Sequence, residues 1–432
     1  MPHVVLLAWS FPPISDVACY RPLRVAKTLV DNGWEVTVAS AYPTNTAQRM
    51  NNQVLERFIP AEVRVVRLPD TATSHASKPS SQPHSNSLPA RVMRKGWRES
   101  RRLLAHLQFP KETAHIINGA RDVGYPPKKL DLMWHTQLLC HLSKLHKAHP
   151  IDLLWATMPP TATGVITYIV GQKLGIPYLL DYRDLWIENP FFPAQSSEKQ
   201  TEKILLDNAR TVTAATQGFA DVLGAKTRTP VKTIYNGFDP EIFAADHTRE
   251  HAHSTALEIV YAGTLYNNYP LPSFADALIS LGDKGVFHLY GGNNAVFKQL
   301  ISQHPKSFIA HGFVLSNQVH HALRTADIAL VIGVPDNPFV VPAKTYEALA
   351  LRKPVLYLGQ PHDETARILE KCGLLLCASC ESEKIETALQ NALLTKQQGG
   401  LLCHPHETAL MHYSVDSQAA SVIKAFKDAL QP

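Results

Sequence analysis

Short apolar runs alternate along the chain with stretches in which apolar residues recur every three or four positions. Residues 3–9 (HVVLLAW) form one run; a Pro-bearing loop follows, then an amphipathic stretch from Arg21 to Val30 that stops at Gly33, then a second run at 34–40 (WEVTVAS). Strand, helix and strand in this order predict a parallel sheet with helices on both faces. The pattern returns at 152–157 (DLLWAT), with a helix from Thr161 to Leu174, Gly175 as its cap and a strand at 176–181 (IPYLLD). Further strands are predicted at 257–262, 286–290, 327–332, 354–358 and 373–377, each followed by helical spacing.

These elements fall into two series. Between them NGFDPEIF (236–243) carries turn residues and leads into polar, His-rich sequence up to Ser254. The expected domains are therefore 1–235 and 236–413, with an apolar-spaced helix at 414–430 able to pack on either. Residues 72–90 hold six Ser and three Pro, too little apolar surface to offset chain entropy, so a mobile loop is expected there.

Composition narrows the function. In 432 residues, 45% are hydrophobic and 18% charged, which is globular, and a net charge of +5 is too small for a general nucleic-acid coat. Nucleic acid is therefore not an expected partner. No apolar run reaches the roughly 18 residues of a membrane span. Met1 to Phe11 lacks a basic leader and runs into Pro12 and Pro13, so it reads as a first strand rather than a signal peptide. Six scattered cysteines suit reduced thiols in the cytoplasm.

In an open parallel sheet, ligands collect beyond the carboxyl ends of the strands. The loops to inspect are Ser10 to Tyr20, Met158 to Thr161, Arg183 to Pro190, Gly263 to Pro270, Gly291 to Asn294 and Gly333 to Pro342. The most informative stretch is VPAKTYEALALRKPVL (341–356). Pro342 suits the first turn of a helix. Lys344 then sits where a cation meets the positive end of the helix dipole, at a cost of about 0.3 to 1 kcal/mol. An anion such as a diphosphate, held by backbone N–H groups and the ammonium, would remove that conflict. Glu347 shares the face of Lys344 and could accept hydrogen bonds from vicinal hydroxyls of a sugar; the plainer alternative is a Lys344–Glu347 surface pair.

FPPISDVACYRPLRVAKTLVDNGWEVTVAS, DLLWATMPPTATGVITYIVGQKLGIPYLLDYRDLW, NGFD, VYAGTLY and VPAKTYEALALRKPVL, in this order, resemble family 4 of the glycosyltransferases over most of the chain. The resemblance implies the GT-B architecture: two facing, Rossmann-like, doubly wound α/β domains, with the nucleotide-sugar donor on the second and the acceptor on the first. It also implies sugar transfer with retention of configuration, no essential metal and no cofactor.

Carried onto this sequence, Glu347 matches the glutamate that holds the ribose, Lys344 a lysine near the diphosphate, and Gly263 and Thr264 the turn approaching the phosphates. Gly291 would allow close backbone approach to the nucleotide, although a plain tight turn explains it too. The chain departs from the family where the earlier glutamate is Phe339 and where the usual Arg and Lys are missing among Leu265 to Pro270. Donor binding should lean harder on Lys344. Arg183, in DYRD, stands where many relatives have a histidine beside the donor sugar. We expect Arg183 to add positive charge for the leaving diphosphate, with Asp184 or Asp16 orienting the acceptor hydroxyl and Arg21 on the acceptor side. An internal Arg183–Asp184 pair that steadies the loop is the competing reading.

Residues 91–107 (RVMRKGWRESRRLLAHL) project as a basic amphipathic helix. Val92, Met93, Trp97, Leu103, Leu104 and Leu107 span about 140°, opposite Arg91, Arg94, Lys95, Arg98, Arg101 and Arg102. Such a helix could lie on an anionic membrane surface, making the protein peripheral on the inner face, or could cover the first domain with a solvated basic face. Cys377 and Cys380 have the gap of a zinc knuckle, but Cys403, His404 and His406 do not supply a matching second pair, so no metal site is expected there.

The combined expectation is a cytoplasmic glycosyltransferase acting on a glycan or lipid-linked acceptor in surface polysaccharide assembly. A sugar-nucleotide epimerase, a non-catalytic nucleotide-sugar-binding relative and a DNA glucosyltransferase are the alternatives.

Overall fold

The computed structural model describes residues 1–14, 17–42, 53–69, 100, 102–189, 194–240 and 255–431. Asp16, the 72–90 loop and most of the basic segment 91–107 lie outside these. The chain divides into two compact units: one runs to Tyr235 and includes the chain again from Ala419 onward, and the other comprises Asn236–Gln418.

The first unit holds strands β1 (His3–Leu7), β2 (Glu35–Tyr42), β3 (Arg64–Pro69), β4 (Leu153–Met158), β5 (Tyr178–Tyr182), β6 (Thr211–Ala214) and β7 (Val231–Thr233). They form a parallel sheet in the order β3-β2-β1-β4-β5-β6-β7. Consecutive strands alternate with helices, so each crossover covers a face of the sheet. Val4, Leu6 and Trp155 pack on one face beneath Leu23, Ala26 and Leu29 of the helix Tyr20–Asp31. The helix Val415–Leu430 joins this core through Val422, Ile423 and Phe426, whose ring lies edge-on to Trp34 at 5.9 Å. Burying Phe426 contributes about 1.5–3 kcal/mol, which anchors the carboxyl-terminal helix here. Gly175 closes the helix Thr161–Leu174 at φ +69°, a left-handed cap that a side chain would strain.

The second unit holds β8 (Leu257–Ala262), β9 (Gly285–Tyr290), β10 (Phe308–Gly312), β11 (Ile328–Ile332), β12 (Val355–Leu358) and β13 (Leu375–Ala378). The order is β10-β9-β8-β11-β12-β13, again parallel. Phe274, Phe287, Phe297 and Phe308 pack edge to face in its core.

Four of the described strands escape the apolar-run criterion. β3, β7 and β10 are edge strands with partly solvated side chains, and β6 is only four residues, two of them threonines. Both units are doubly wound: strand order reverses between β1 and β4 in the first and between β8 and β11 in the second. Loops leaving the carboxyl ends at those points form the crevice in which such sheets bind ligands.

Candidate functional site

In the second unit, the loops after β8 and β9 are knitted together. Gly263 N donates to Tyr290 O and Leu265 N to Gly292 O, both at 2.9 Å. Gly291 has φ +142°, and a Cβ there would stand 2.2 Å from Gly263 O, so only glycine fits. Gly263, Thr264 and Gly291 thus come together as one backbone-lined corner. Phe313 closes against Gly292, to which an added Cβ would lie 3.5 Å from the ring, and is itself 78% exposed.

The helix Ala343–Leu351 begins at the switch point. Its start differs from expectation: Pro342 is the cap residue, with extended ψ, and the first helical residue is Ala343. The extended ψ lets the Pro342 carbonyl accept from Thr345 N at 2.9 Å, while no side chain among the described residues caps the helix. Lys344 Nζ donates to Glu347 Oε1 at 2.9 Å, so the surface pair does form. It uses only half of the carboxylate: Glu347 Oε2 is buried without a hydrogen-bond partner among the described residues, as is Thr345 Oγ1. An unpartnered buried carboxylate oxygen is costly unless something donates to it.

His320, on the helix Ser316–Thr325, belongs to the same electrostatic neighbourhood. Burial pushes its imidazole below the usual range; Glu347 draws it back up, and Arg324 and Lys344 add to the depression. No motif in the sequence marks His320, which becomes visible only once its helix packs beside Glu347. Tyr261 stands near as well: burial raises its phenol, with Tyr269, Tyr266 and Glu347 adding to the effect. Tyr266 and Tyr269, edge to face at 5.4 Å, occupy the loop where the family's Arg and Lys are missing.

In the first unit, Arg183 follows β5 directly. Its guanidinium donates to the carbonyls of Ala18, at 2.9 Å, and of Pro159, and so ties the loops after β1 and β4 to that after β5. Beside it, burial raises the Asp184 carboxyl while the Arg183 charge opposes the rise. Arg21, expected on the acceptor side, pairs with a carboxylate of β5. It is 6% exposed and grips Asp181 through Nε at 2.8 Å and Nη2 at 2.6 Å, with Nη1 on Ile234 O at 2.7 Å. Thr157 and Thr213 complete the Asp181 shell at 2.7 and 2.6 Å. This guanidinium serves the fold, since leaving Asp181 unpaired inside the sheet would be prohibitive. Asp16 lies outside the described residues.

Cys377 and Cys403 turn their thiols toward the carbonyls of Lys384 and Arg352, at 3.9 and 4.0 Å. With Cys380, His404 and His406 they form no metal-ligating group among the described residues. No described helix is long and apolar enough to cross a membrane.

Two doubly wound parallel α/β units are the architecture of the GT-B fold. Residues 20–237 match the model of the glycosyl transferase 4-like domain, and the chain belongs to that family. No curated protein matches it. Among solved structures, HepE of Anabaena in complex with UDP and glucose has a TM-score of 0.63 at 15% identity, covering 99% of this chain and 100% of that one. A UDP-GlcNAc 2-epimerase from Neisseria meningitidis bound to UDP-GlcNAc has a TM-score of 0.57 at 12% identity, with 99% and 100% covered. A variant of TarM from S. aureus, in complex with UDP, has 0.60 at 10% identity, with both chains covered in full. At these identities the likeness concerns the fold.

Proposed function

We propose that this chain transfers a sugar from a nucleotide-sugar donor to a glycan or lipid-linked acceptor in surface polysaccharide assembly, with retention of anomeric configuration. The observation that carries the proposal is the start of the helix Ala343–Leu351: N–H groups without a side-chain cap and a Glu347 Oε2 without a partner among the described residues, beside the ammonium of Lys344. Amide hydrogens and Lys344 suit a diphosphate, and a carboxylate oxygen lacking a donor suits a ribose hydroxyl. Gly263, Thr264 and Gly291 supply the close backbone approach. As the nucleoside diphosphate leaves, Lys344 and the helix start meet its growing negative charge, the task a metal performs elsewhere. Arg183 contributes further positive charge, and Asp184 or Asp16 orients the acceptor hydroxyl. UDP or a UDP-sugar occupies the three similar structures named above, which favours a nucleotide sugar as the donor.

The same reading includes peripheral attachment to an anionic membrane surface through 91–107. The described end of that segment supports it: Leu103, Leu104 and Leu107 are 60%, 44% and 69% exposed on one helical stretch.

A thermal-shift screen against a panel of nucleotide sugars identifies the donor, since a ligand of the native state raises the melting temperature. The hit is then incubated with and without lipid-linked glycans. Release of nucleoside diphosphate only with acceptor, and a product of unchanged anomeric configuration, is expected. An isomerised donor in the absence of acceptor would instead establish an epimerase, and stabilisation without turnover a binding protein.

A further inference from the structure

At the amino ends of the first unit's strands, away from the ligand loops, three side chains from distant segments converge. His3 opens β1, Glu35 opens β2 as its register partner, and His149 caps the helix Leu132–Ala148 that leads into β4. One ligating atom from each lies within 4.8 Å of the others. His149 Nε2 is 2.6 Å from Glu35 Oε2, and the two imidazole centroids are 4.8 Å apart.

His3 is 2% exposed, with Nδ1 3.0 Å from Pro150 O. A carbonyl only accepts, so Nδ1 carries the hydrogen, which leaves Nε2 as the nitrogen that can offer a lone pair. Metal-binding histidines are oriented in this way, with the far nitrogen donating to a carbonyl and the near one bare. Nε2 lies 3.0 Å from the Thr37 hydroxyl, its hydrogen-bond partner. Two imidazole nitrogens and one carboxylate oxygen suit a borderline divalent ion rather than magnesium or calcium, which prefer oxygen alone.

We infer that His3, Glu35 and His149 form a binding site for a divalent transition-metal ion of the zinc type, which ties the amino ends of β1 and β2 to the chain entering β4. The ion replaces the His149–Glu35 hydrogen bond, and the Thr37 hydroxyl turns from His3 Nε2. Because the site sits at the opposite strand ends from the ligand loops, its occupancy changes stability and leaves donor binding unaltered.

The test titrates the untagged, chelator-treated full chain with ZnCl2 by calorimetry and thermal melting. One equivalent is expected to bind, raising the melting temperature by about 5 to 10 °C at a hundredfold excess over the dissociation constant. His149→Ala and Glu35→Ala remove side chains that are 51% and 44% exposed, so both variants keep the fold, checked by circular dichroism. Each should weaken zinc by on the order of 100-fold. His311→Ala, which alters another close histidine pair, at 3.0 Å from His288, should not. Absence of uptake, uptake that survives both His149→Ala and Glu35→Ala, or uptake lost with His311→Ala would overturn the site.

Discussion

Lys344 Nζ lies 2.9 Å from Glu347 Oε1, while Oε2 of the same carboxylate is buried with no partner among the described residues. A partly exposed pair three residues apart contributes about 0–1 kcal/mol, so it does not hold the fold together. Its geometry instead leaves an acceptor waiting beside an uncapped helix start. Lys344→Ala and Glu347→Gln should therefore shift the ligand-free melting temperature by no more than about 4 °C. Each should lower affinity for the nucleotide sugar about 10- to 100-fold, the worth of a charged hydrogen bond. Calorimetric titration measures this, and unchanged affinity in both variants would remove the donor from this helix.

Gly291→Ala forces a Cβ to within 2.2 Å of Gly263 O at a φ of +142°. The loops after β8 and β9 must then separate, at a cost of about 1–3 kcal/mol. Urea unfolding should show that loss, together with weakened donor binding, because the corner beside Thr264 no longer closes.

Arg21 and Asp181 form a buried pair with bonds of 2.6 and 2.8 Å. Removing either partner should cost about 3–5 kcal/mol, read from urea unfolding of Arg21→Ala and Asp181→Asn. Burial drives the Asp181 carboxyl upward, but the Arg21 charge and the bonds from Arg21, Thr213 and Thr157 outweigh it and hold the carboxyl below its usual range. A carboxyl depressed in the folded state stabilises above its unfolded pKa of about 4. Its contribution is lost as the pH falls through the depressed folded value. The stability curve of the native chain should therefore drop below about pH 4 more steeply than that of Asp181→Asn.

Arg183→Ala should lower turnover by on the order of 100-fold or more, with donor affinity changed less than about threefold, if the guanidinium meets charge that develops only during transfer. Arg183→Lys should restore part of the rate. Because Arg183 also anchors the carbonyls of Ala18 and Pro159, the melting temperature of each variant must accompany the kinetics. Unchanged turnover would confine Arg183 to that anchoring role.

Vesicles containing anionic lipid should bind the protein, and neutral vesicles should not. Charged residues in place of Trp97 and Leu104 should abolish co-sedimentation, since insertion of the apolar face and attraction of the arginines act together. Binding indifferent to both changes would reject membrane contact through this segment.

Much of the framework was legible in the residues. β1, β4, β8 and β11 announce themselves as apolar runs because strands buried on both faces need apolar side chains throughout, and Gly175 marks a helix end because its left-handed cap strains a residue with a Cβ. Local periodicity and backbone sterics settle such matters within a dozen residues. The helix 343–351 could also be placed, along with the conflict of a lysine at its start. Spacing could not decide whether Lys344 pairs with Glu347, nor reveal that one carboxylate oxygen has no partner among the described residues.

Pairings across the chain were decided by tertiary structure alone. Arg21 meets Asp181 across 160 residues, His149 meets Glu35 across 114, and His320 enters the electrostatic reach of Glu347 only when their helices pack. A charged residue looks the same in sequence whether its partner is water, a ligand or a buried counter-ion. Strand order determines which of these it meets, because the sheet brings distant segments within a few ångströms and withdraws them from solvent. Arg21 therefore meets a buried carboxylate from another strand, and Glu347 a lysine one turn away.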